Sequence, residues 1–226
     1  MKVKQLLSYK KYLAFSLIEL SMVLIIIGLI ISGIISSQKL IQLSRLTSAR
    51  TLTNSSPVNN IEDLAMWLEA TSKSSFDGSK RVDGASIDIW YDINPQSTYK
   101  HDSTQTTADN QPVYSENGIN KLPAVTFDGT NDYLKYSDNN QFMVGTDYSV
   151  TIVEQRGDNN GSYFIGGSDG TTNGRLAFGY ENSTSLRHAQ QANFYQIDNI
   201  VSAFSSPMPR IHTITHSTVN PYISWI

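Results

Sequence analysis

The segment from Phe15 to Ile35 is apolar almost throughout, and Glu19 is its only charged residue. About 20 apolar residues cross the hydrocarbon core of a bilayer as a helix, so the segment predicts one membrane span. A carboxylate inside such a span costs several kcal/mol unless a cation pairs with it. An apolar stripe then continues to Arg50 near helical spacing, with polar residues between its members. The pattern predicts one long helix over 15–50, with a transmembrane half and a periplasmic half.

The amino-acid composition and the hydrophobic pattern change after this helix. Residues 51–60, TLTNSSPVNN, are rich in turn-forming types and predict a linker, with Pro57 as a limit to any helix. Residues 61–226 alternate short β-prone runs with turn residues, which is typical of an all-β sandwich or barrel. Residues 61–70 are expected to form a first strand or a short helical turn, and Asp128–Asn131 a hairpin connection. The other predicted strands are 87–91, 123–127, 133–136, 149–154, 163–165, 175–180, 210–215 and 222–226.

Charge indicates the topology and excludes one class of partner. Four lysines precede the apolar run, and the leader carries no acidic residue: Lys2, Lys4, Lys10 and Lys11. By the positive-inside rule the N-terminus is cytoplasmic and the rest of the chain is exported. Residues 61–226 hold ten Lys or Arg against nineteen Asp or Glu, a formal charge of −9. A nucleic-acid partner is therefore not expected. The chain has no cysteine, so disulfides and thiolate metal sites are excluded.

Three interpretations of the apolar run compete. A secretory signal peptide has an apolar part of only about 7–15 residues and a small-residue cleavage site, and neither feature is present. A plain membrane anchor fits the length but leaves Glu19 unexplained. The Ala14–Phe15 junction, the FSLIEL block that starts at Phe15 and the long apolar helix together resemble a type IV prepilin signal. This resemblance covers roughly the first fifth of the chain.

The prepilin resemblance implies a role for three residues. A prepilin peptidase would cut between Ala14 and Phe15, and the new amino group of Phe15 would be N-methylated. Glu19 would then neutralise that amine on a neighbouring subunit during assembly. Family members more often carry Gly before the cut and a helix-bending proline where this chain has Ser36. The second departure favours a minor pilin or pseudopilin over a main fibre subunit.

The exported part resembles a second family. The motif MWLEA at 66–70, Trp90 with Asp92, NGINKLP at 117–123 and VTFDGTNDYL at 125–134 are similar to bacterial laminin-G-like domains of the concanavalin-A-like class. The resemblance covers most of residues 61–170 and implies an all-β jelly-roll sandwich over 61–226. Because the sequence ends within the apolar run 222–226, we expect a sandwich that is truncated or incomplete at one edge.

Catalytic chemistry is not indicated. Concanavalin-like glycosidases place two carboxylates about 5–5.5 Å apart on one strand, and the sequence holds no such alternation of Glu and Asp. Residues 166–170 satisfy G-x-S-x-G, but a strand-like run follows instead of the helix that a nucleophile elbow needs. His212 and His216 would face the same side of a strand about 13 Å apart, too far to share an ion. No catalytic residue is assigned, and an enzyme is not expected.

Binding sites are suggested at two places. Laminin-G-like domains sometimes hold calcium, and Asp128, Asn131 and Asp132 supply the hard oxygen atoms that this ion prefers. The competing interpretation, which we favour, is that these residues simply form a turn. For carbohydrate, Tyr163, Tyr180 and Tyr195 are candidate aromatic platforms.

The combined interpretation is a pilin-like subunit of a type IV pilus or type II secretion system in the bacterial inner membrane. Its partners would be other pilin subunits, the prepilin peptidase and a glycan or protein ligand of the β domain. A ligand-free scaffolding pseudopilin and a membrane-anchored glycan-active enzyme are the alternatives.

Overall fold

The computed structural model describes most of the chain. The described residues are 16–136, 143, 147–157, 161–167, 176–182, 185–190, 193–197, 208–217 and 224–225. The chain divides into two compact units, Met1–Ser44 and Arg45–Ile226.

One long helix, α1, runs from Leu17 to Asn54. Its most apolar 18-residue window has a mean hydropathy of 2.6, and none of that window is buried by the rest of the chain. The helix is therefore long and apolar enough to cross a membrane, as the sequence predicts.

The helix ends four residues later than predicted, so the first part of the expected 51–60 linker is helical. Local hydrogen bonds satisfy carbonyl groups at this end of the helix. The Ser55 amide donates to the carbonyl of Thr51 at 3.0 Å, the Ser56 amide to that of Thr53 at 3.2 Å and Asn59 Nδ2 to that of Asn54 at 2.9 Å. The last four carbonyl groups of a helix have no partner within it, and residues that follow the helix supply partners here. Pro57 then starts a short 3₁₀ helix, Pro57–Asn60, which Ser56 caps through a 3.2 Å bond from the Val58 amide.

Irregular chain and short 3₁₀ helices lead into the β structure. Three further 3₁₀ helices cover Lys73–Ser75, Gly78–Lys80 and Ala108–Asn110. Residues 61–70 form turns and extended chain, so the predicted first strand is absent there. The backbone of this segment is bonded by side chains and by the Ile93 amide, which donates to the Trp67 carbonyl at 2.9 Å. Trp67, for example, donates its amide to the Asp92 carboxylate at 2.9 Å.

The described residues contain twelve strands. Apart from residues 61–70, each of the eight runs predicted as strands overlaps one of them, whereas β2, β3, β9 and β10 were not predicted. Their bounds are β1 Ile89–Trp90, β2 Ser103–Thr104, β3 Val113–Ile119, β4 Leu122–Thr126, β5 Lys135–Tyr136, β6 Tyr148–Gln155, β7 Ser162–Gly167, β8 Leu176–Tyr180, β9 Leu186–Gln190, β10 Asn193–Ile197, β11 Pro209–His216 and β12 Ser224–Trp225.

The strands form antiparallel sheets. Strands β3 and β4 pair as a hairpin, and β1, β2 and β5 form a small sheet in the order β1-β2-β5. The two larger sheets have the orders β10-β9-β8-β7 and β12-β11-β6. The predicted hairpin connection at Asp128–Asn131 is wrong, because β4 pairs with β3 and β5 pairs with β2. That loop joins two different sheets.

The two larger sheets share one hydrophobic core. Their shared core contains Phe178 and Tyr180 from β8, Leu186 from β9 and Ile214 from β11, each at most 3% exposed. Side chains of β6 at every second position, Tyr148, Val150 and Ile152, pack against this core. Strand β6 therefore turns one face inward and the other outward, as period-two alternation requires. The sheets thus confirm an antiparallel β domain after the helix.

A second core lies in the part of the β unit before residue 137. Phe76, Ile87 and Tyr114 are buried there, and Trp90 packs on the Phe76 ring at 5.6 Å between centroids. The buried carboxylate of Asp92, 4% exposed, ties three chain segments together. It accepts hydrogen bonds from the amides of Trp67, Asn94 and His101 at 2.9, 2.9 and 3.1 Å. Because these bonds join distant parts of the sequence, Asp92 stabilises an otherwise irregular region.

We expect Asp92→Asn to lower the free energy of unfolding by about 3 kcal/mol, since a buried carboxylate that accepts three amide bonds is replaced by a group that also carries donors. Urea denaturation of the detergent-solubilised chain, followed by circular dichroism, measures the change. Glu62→Gln, an exposed carboxylate changed in the same way, is the control and should stay within about 0.5 kcal/mol. An equal effect of both changes would contradict the role of Asp92.

Candidate functional site

Ser16 and Glu19 form two hydrogen bonds with each other at the N-terminus of the helix. The Ser16 amide donates to Glu19 Oε2 at 2.8 Å, and the Glu19 amide donates to Ser16 Oγ at 3.2 Å. This reciprocal pair is a capping box, which serves two amides that have no partner within the helix. The spacing Ser-x-x-Glu before an apolar run is visible in the sequence and was missed there. Ala14 and Phe15, the predicted cleavage pair, lie outside the described residues.

The apolar part of α1 is uncovered on all sides. Leu17 and Ile18 are 88% and 73% exposed, and further along Leu29 and Ile34 are 70% and 53% exposed. In water, such a helix would expose a large apolar surface, and the free-energy cost is about 25 cal/mol for each Å² of that surface. The helix is thus long and apolar enough to cross a membrane, and within the described residues nothing covers it.

The predicted calcium residues form a compact turn. Asp128 Oδ1 accepts from the amides of Thr130, Asn131 and Asp132 at 2.8, 3.2 and 3.4 Å. The Asp128 amide in turn donates to Asp132 Oδ2 at 2.9 Å. Gly129 has a φ of +75°, the left-handed conformation that glycine adopts without strain. The carboxylates of Asp128 and Asp132 thus both accept hydrogen bonds from backbone amides of the same turn.

Asn131 bonds this turn to a neighbouring loop. Its Nδ2 donates to the Asp109 carbonyl and to Asn110 Oδ1, both at 2.9 Å. The amide of Thr130, followed by those of Asn131 and Asp132, holds the pKa of Asp128 below its usual value. These contacts are those of turn chemistry. Within the described residues, no group of three or more His, Cys, Asp or Glu side chains is arranged to hold a metal ion. The calcium site remains a prediction.

We expect Asp128→Ala to lower the free energy of unfolding in EGTA, because the turn loses the acceptor of its three backbone amides. Urea denaturation in EGTA and again in millimolar Ca²⁺ measures the loss caused by the substitution and any stabilisation that Ca²⁺ provides. A turn without an ion gives the same loss in either solution. Stabilisation by Ca²⁺ that Asp128→Ala abolishes would establish the calcium site instead.

A polar cluster, missed at the level of sequence, lies between the two large sheets. Glu154 Oε1 on β6 lies 2.9 Å from Tyr180 Oη and 3.1 Å from His212 Nε2, and the latter two atoms are 3.1 Å apart. Arg210 Nη1 is 3.7 Å from the same carboxylate oxygen. Burial, together with the hydrogen bond to Glu154 and its charge, strongly raises the pKa of Tyr180. The Glu154, Arg210 and His212 side chains are only 11–15% exposed, so the cluster stabilises the contact between the sheets.

Two aromatic contacts surround this cluster. The Phe164 ring stacks on His212, with centroids 5.4 Å apart, and Arg156 lies over the Tyr180 ring at 4.1 Å. Tyr180 is fully buried, so its predicted role as a platform for carbohydrate is wrong. Its hydroxyl group instead donates a hydrogen bond to Glu154 in the interior of the protein. Tyr163 is 47% exposed and stays a candidate platform, and the side chain of Tyr195 lies outside the described part of the chain.

A second polar cluster lies further along the same interface. Tyr148 Oη and His188 Nε2 share a hydrogen bond of 2.9 Å, and His216 stacks on the Tyr148 ring at 5.2 Å between centroids. His212 and His216 thus belong to different clusters. His188 is completely buried. Burial, with a smaller contribution from His216, lowers the pKa of His188 to about 4.

This burial predicts acid sensitivity. Above pH 6.5 both the folded and the unfolded chain hold His188 neutral. Between pH 6.5 and about 4 only the unfolded chain binds the proton, so the free energy of unfolding falls as the pH falls, by up to about 3 kcal/mol.

We expect His188→Gln, which keeps an acceptor for Tyr148, to lose this part of the pH dependence. Urea midpoints of both proteins at intervals from pH 7.5 to 4 measure the difference. The curves of urea midpoint against pH for wild type and variant should converge as the pH falls. Parallel curves would show that His188 is protonated equally in both states.

Comparison with protein-family models, with curated proteins and with solved structures finds no match to this chain.

Proposed function

We propose that the chain is a pilin-like subunit, a minor pilin or pseudopilin of a type IV pilus or type II secretion system. In this proposal it sits in the bacterial inner membrane as a single-pass protein, with its N-terminus in the cytoplasm. The β domain is periplasmic, or extracellular once the subunit enters a fibre. It presents a surface for adhesion, to a glycan or to a protein.

The observation that carries the proposal is the uncovered apolar helix with a carboxylate in its first turn. Nothing in the described part of the chain covers residues 17–34, so the helix requires lipid or sister helices. A plain anchor needs no carboxylate there, and placing one in lipid is expensive. A cation from a neighbouring subunit removes most of this cost. The amine that cleavage after Ala14 would create on Phe15 is such a cation.

The capping box gives Glu19 a second role, which the proposal has to accommodate. Within one chain Glu19 Oε2 accepts the Ser16 amide and so shapes the first turn of the helix. This bond holds the carboxylate beside the backbone of Ser16, the residue that follows Phe15. A carboxylate can accept several bonds, so Glu19 can cap its own helix and still receive a neighbour's amine. Capping and assembly are therefore compatible.

For the β domain we propose a laminin-G-like jelly roll of the concanavalin-A-like class. Two antiparallel sheets that face each other through an apolar core support this assignment. The alternatives are a scaffolding pseudopilin without a ligand and a membrane-anchored glycan-active enzyme. The enzyme would need an accessible pair of carboxylates, and Glu154 is committed to the cluster between the sheets. Of these functions, we favour binding of a glycan or protein by the β domain.

Processing tests the proposal directly. We expect protein from native membranes to begin at N-methylated Phe15, because the peptidase would remove residues 1–14. Intact mass and N-terminal sequencing measure this. A protein that begins at Met1 would refute the pilin assignment and leave a simple membrane anchor.

Glu19→Gln separates the two roles of Glu19, since glutamine also serves in a capping box but carries no charge. We expect this variant to be cut at Phe15 as usual and to be recovered at least tenfold less in the sheared fibre fraction. Glu62→Gln removes an exposed carboxylate outside the helix and should behave as wild type. Normal fibre recovery of Glu19→Gln would contradict the assembly role.

A further inference from the structure

Three side chains meet on the outer face of the four-stranded sheet. Tyr163 on β7 and Arg187 on β9 are both register partners of Gly179 on β8, whose two neighbours in the strand point into the core. Tyr163 Oη donates to Glu181 Oε2 at 2.6 Å, and Arg187 Nη1 lies 2.7 Å from the same oxygen. Because Gly179 has no side chain, β8 places nothing between the tyrosine and the arginine in this row. We call Tyr163, Glu181 and Arg187 the tyrosine platform.

Tyr163 presents its ring to solvent instead of its hydroxyl. A surface tyrosine usually covers apolar neighbours with its ring and leaves the hydroxyl in water. Here the hydroxyl is bonded to Glu181, yet Tyr163 is 47% exposed. Since the hydroxyl supplies only a small part of a tyrosine's surface, most of the exposed area belongs to the ring. An aromatic face held in this way is available for stacking.

The tyrosine platform is fixed by its surroundings. The Glu181 amide donates to the Ser185 carbonyl at 3.0 Å, and the Ser185 amide donates to Asn182 Oδ1 at 3.0 Å, so the turn between β8 and β9 is closed. Gly161 lies so close to Glu181 that a Cβ at this position would stand 2.5 Å from the Glu181 carbonyl oxygen. Groups that are already held in place lose little conformational entropy when a ligand binds.

A shallow floor of small residues adjoins the platform. Gly166 on β7 and Ala177 on β8 are register partners, and Ala177 lies two residues before Gly179, so both belong to the same outer face. The side chains of Tyr163 and Arg187 reach in the other direction along the strands, toward Glu181. Gly166 is exposed, so no described side chain covers this part of the floor. The platform therefore stands beside a step that suits a flat ligand.

The chemistry of the platform indicates the class of ligand. One side of a sugar ring carries C–H groups that stack on an aromatic face, and its rim carries hydroxyl groups that both donate and accept hydrogen bonds. Arg187 supplies donors and Glu181 supplies acceptors, and their opposite charges balance in one ion pair. A neutral saccharide matches a ring that lies beside such a pair.

Charge and size disfavour other ligands at this position. Residues 61–226 carry a formal charge of −9, which repels nucleic acids and acidic sugars. An apolar peptide binds through large side chains that fill apolar pockets, whereas the floor here consists of Gly166 and Ala177. Among these classes, the neutral saccharide is the one that the platform fits.

We infer that the tyrosine platform binds a neutral saccharide, with the sugar ring stacked on Tyr163 and its hydroxyl groups bonded to Arg187 and Glu181. The inference rests on the proposed binding function of the β domain, for which it names the site and the class of ligand. It involves no part of α1, so it is independent of processing at Phe15.

Titration calorimetry of the full chain with oligosaccharides tests the class of ligand. The chain is kept in a polyoxyethylene detergent, because detergents with sugar headgroups would compete for the site. The probes are neutral oligosaccharides of glucose, galactose, mannose and N-acetylglucosamine, each compared with its sulfated form. We expect one or more neutral probes to bind, and to bind more tightly than their sulfated forms.

Tyrosine variants test the site. We expect Tyr163→Ala to weaken binding about tenfold or more, because stacking is lost, and Tyr163→Phe, which keeps the ring, to stay within about threefold of wild type. Tyr99→Ala removes a tyrosine that is 56% exposed elsewhere in the β unit, and it should bind as wild type does. Circular dichroism verifies that each variant is folded.

Four outcomes would overturn the inference. Absence of binding to every neutral probe excludes the saccharide, and a start at Phe15 would still support the pilin assignment. Tighter binding of the sulfated forms identifies an anionic ligand. Binding that survives Tyr163→Ala places the saccharide elsewhere on the β domain, so that the site fails while the proposed binding function stands. Equal losses in Tyr163→Ala and Tyr99→Ala show an effect that is not specific to the platform.

Discussion

The antiparallel pairing of β6 with β11 is the interaction on which the larger β structure depends. Eight residues of each strand are in register, from Tyr148 opposite His216 to Gln155 opposite Pro209. Because side chains alternate across a strand, this one register sends every second residue inward and the others outward. It brings Ile214 to the core, Glu154 to His212, and Val153 beside Ile211 on the outer face. A slip by one residue would exchange the two faces.

The inward side of this pair is unusual in mixing apolar and ionisable side chains. Val150, Ile152 and Ile214 supply apolar area, while Glu154 and His212 lie in the same layer. Burying a carboxylate is costly unless hydrogen bonds replace its water. Here Tyr180 from the opposite sheet and His212 from the adjacent strand provide them. The polar cluster therefore fixes how the two sheets are placed against each other, because its bonds require particular positions and not merely apolar contact.

The helix follows a different constraint. Its first turn is organised by the local exchange of hydrogen bonds between Ser16 and Glu19, which needs no other part of the chain. Its long apolar surface, by contrast, finds no cover within the described chain and depends on what surrounds the protein. Carbonyl groups of the last turn are again satisfied locally, by the amides of Ser55 and Ser56 and the side chain of Asn59. The helix is thus satisfied as secondary structure, whereas no described residue covers its apolar surface.

The amino-acid sequence by itself determined the features that depend on near neighbours. The apolar run of 15–35 predicted the helix, and short β-prone runs bounded by turn residues located eight of the strands, because both signals lie within a few residues. Ser16 with Glu19 and the Asp128 turn belong to this class as well. Only the tertiary structure decided which strands pair, since β4 and β5 are consecutive in the chain yet belong to different sheets. It also decided that Tyr180 is buried, that Glu154 meets His212 from 58 residues away, and that the Asp92 carboxylate bonds to Trp67. These contacts join residues far apart in the chain, and the free energy of packing selects them in a way that no local pattern records.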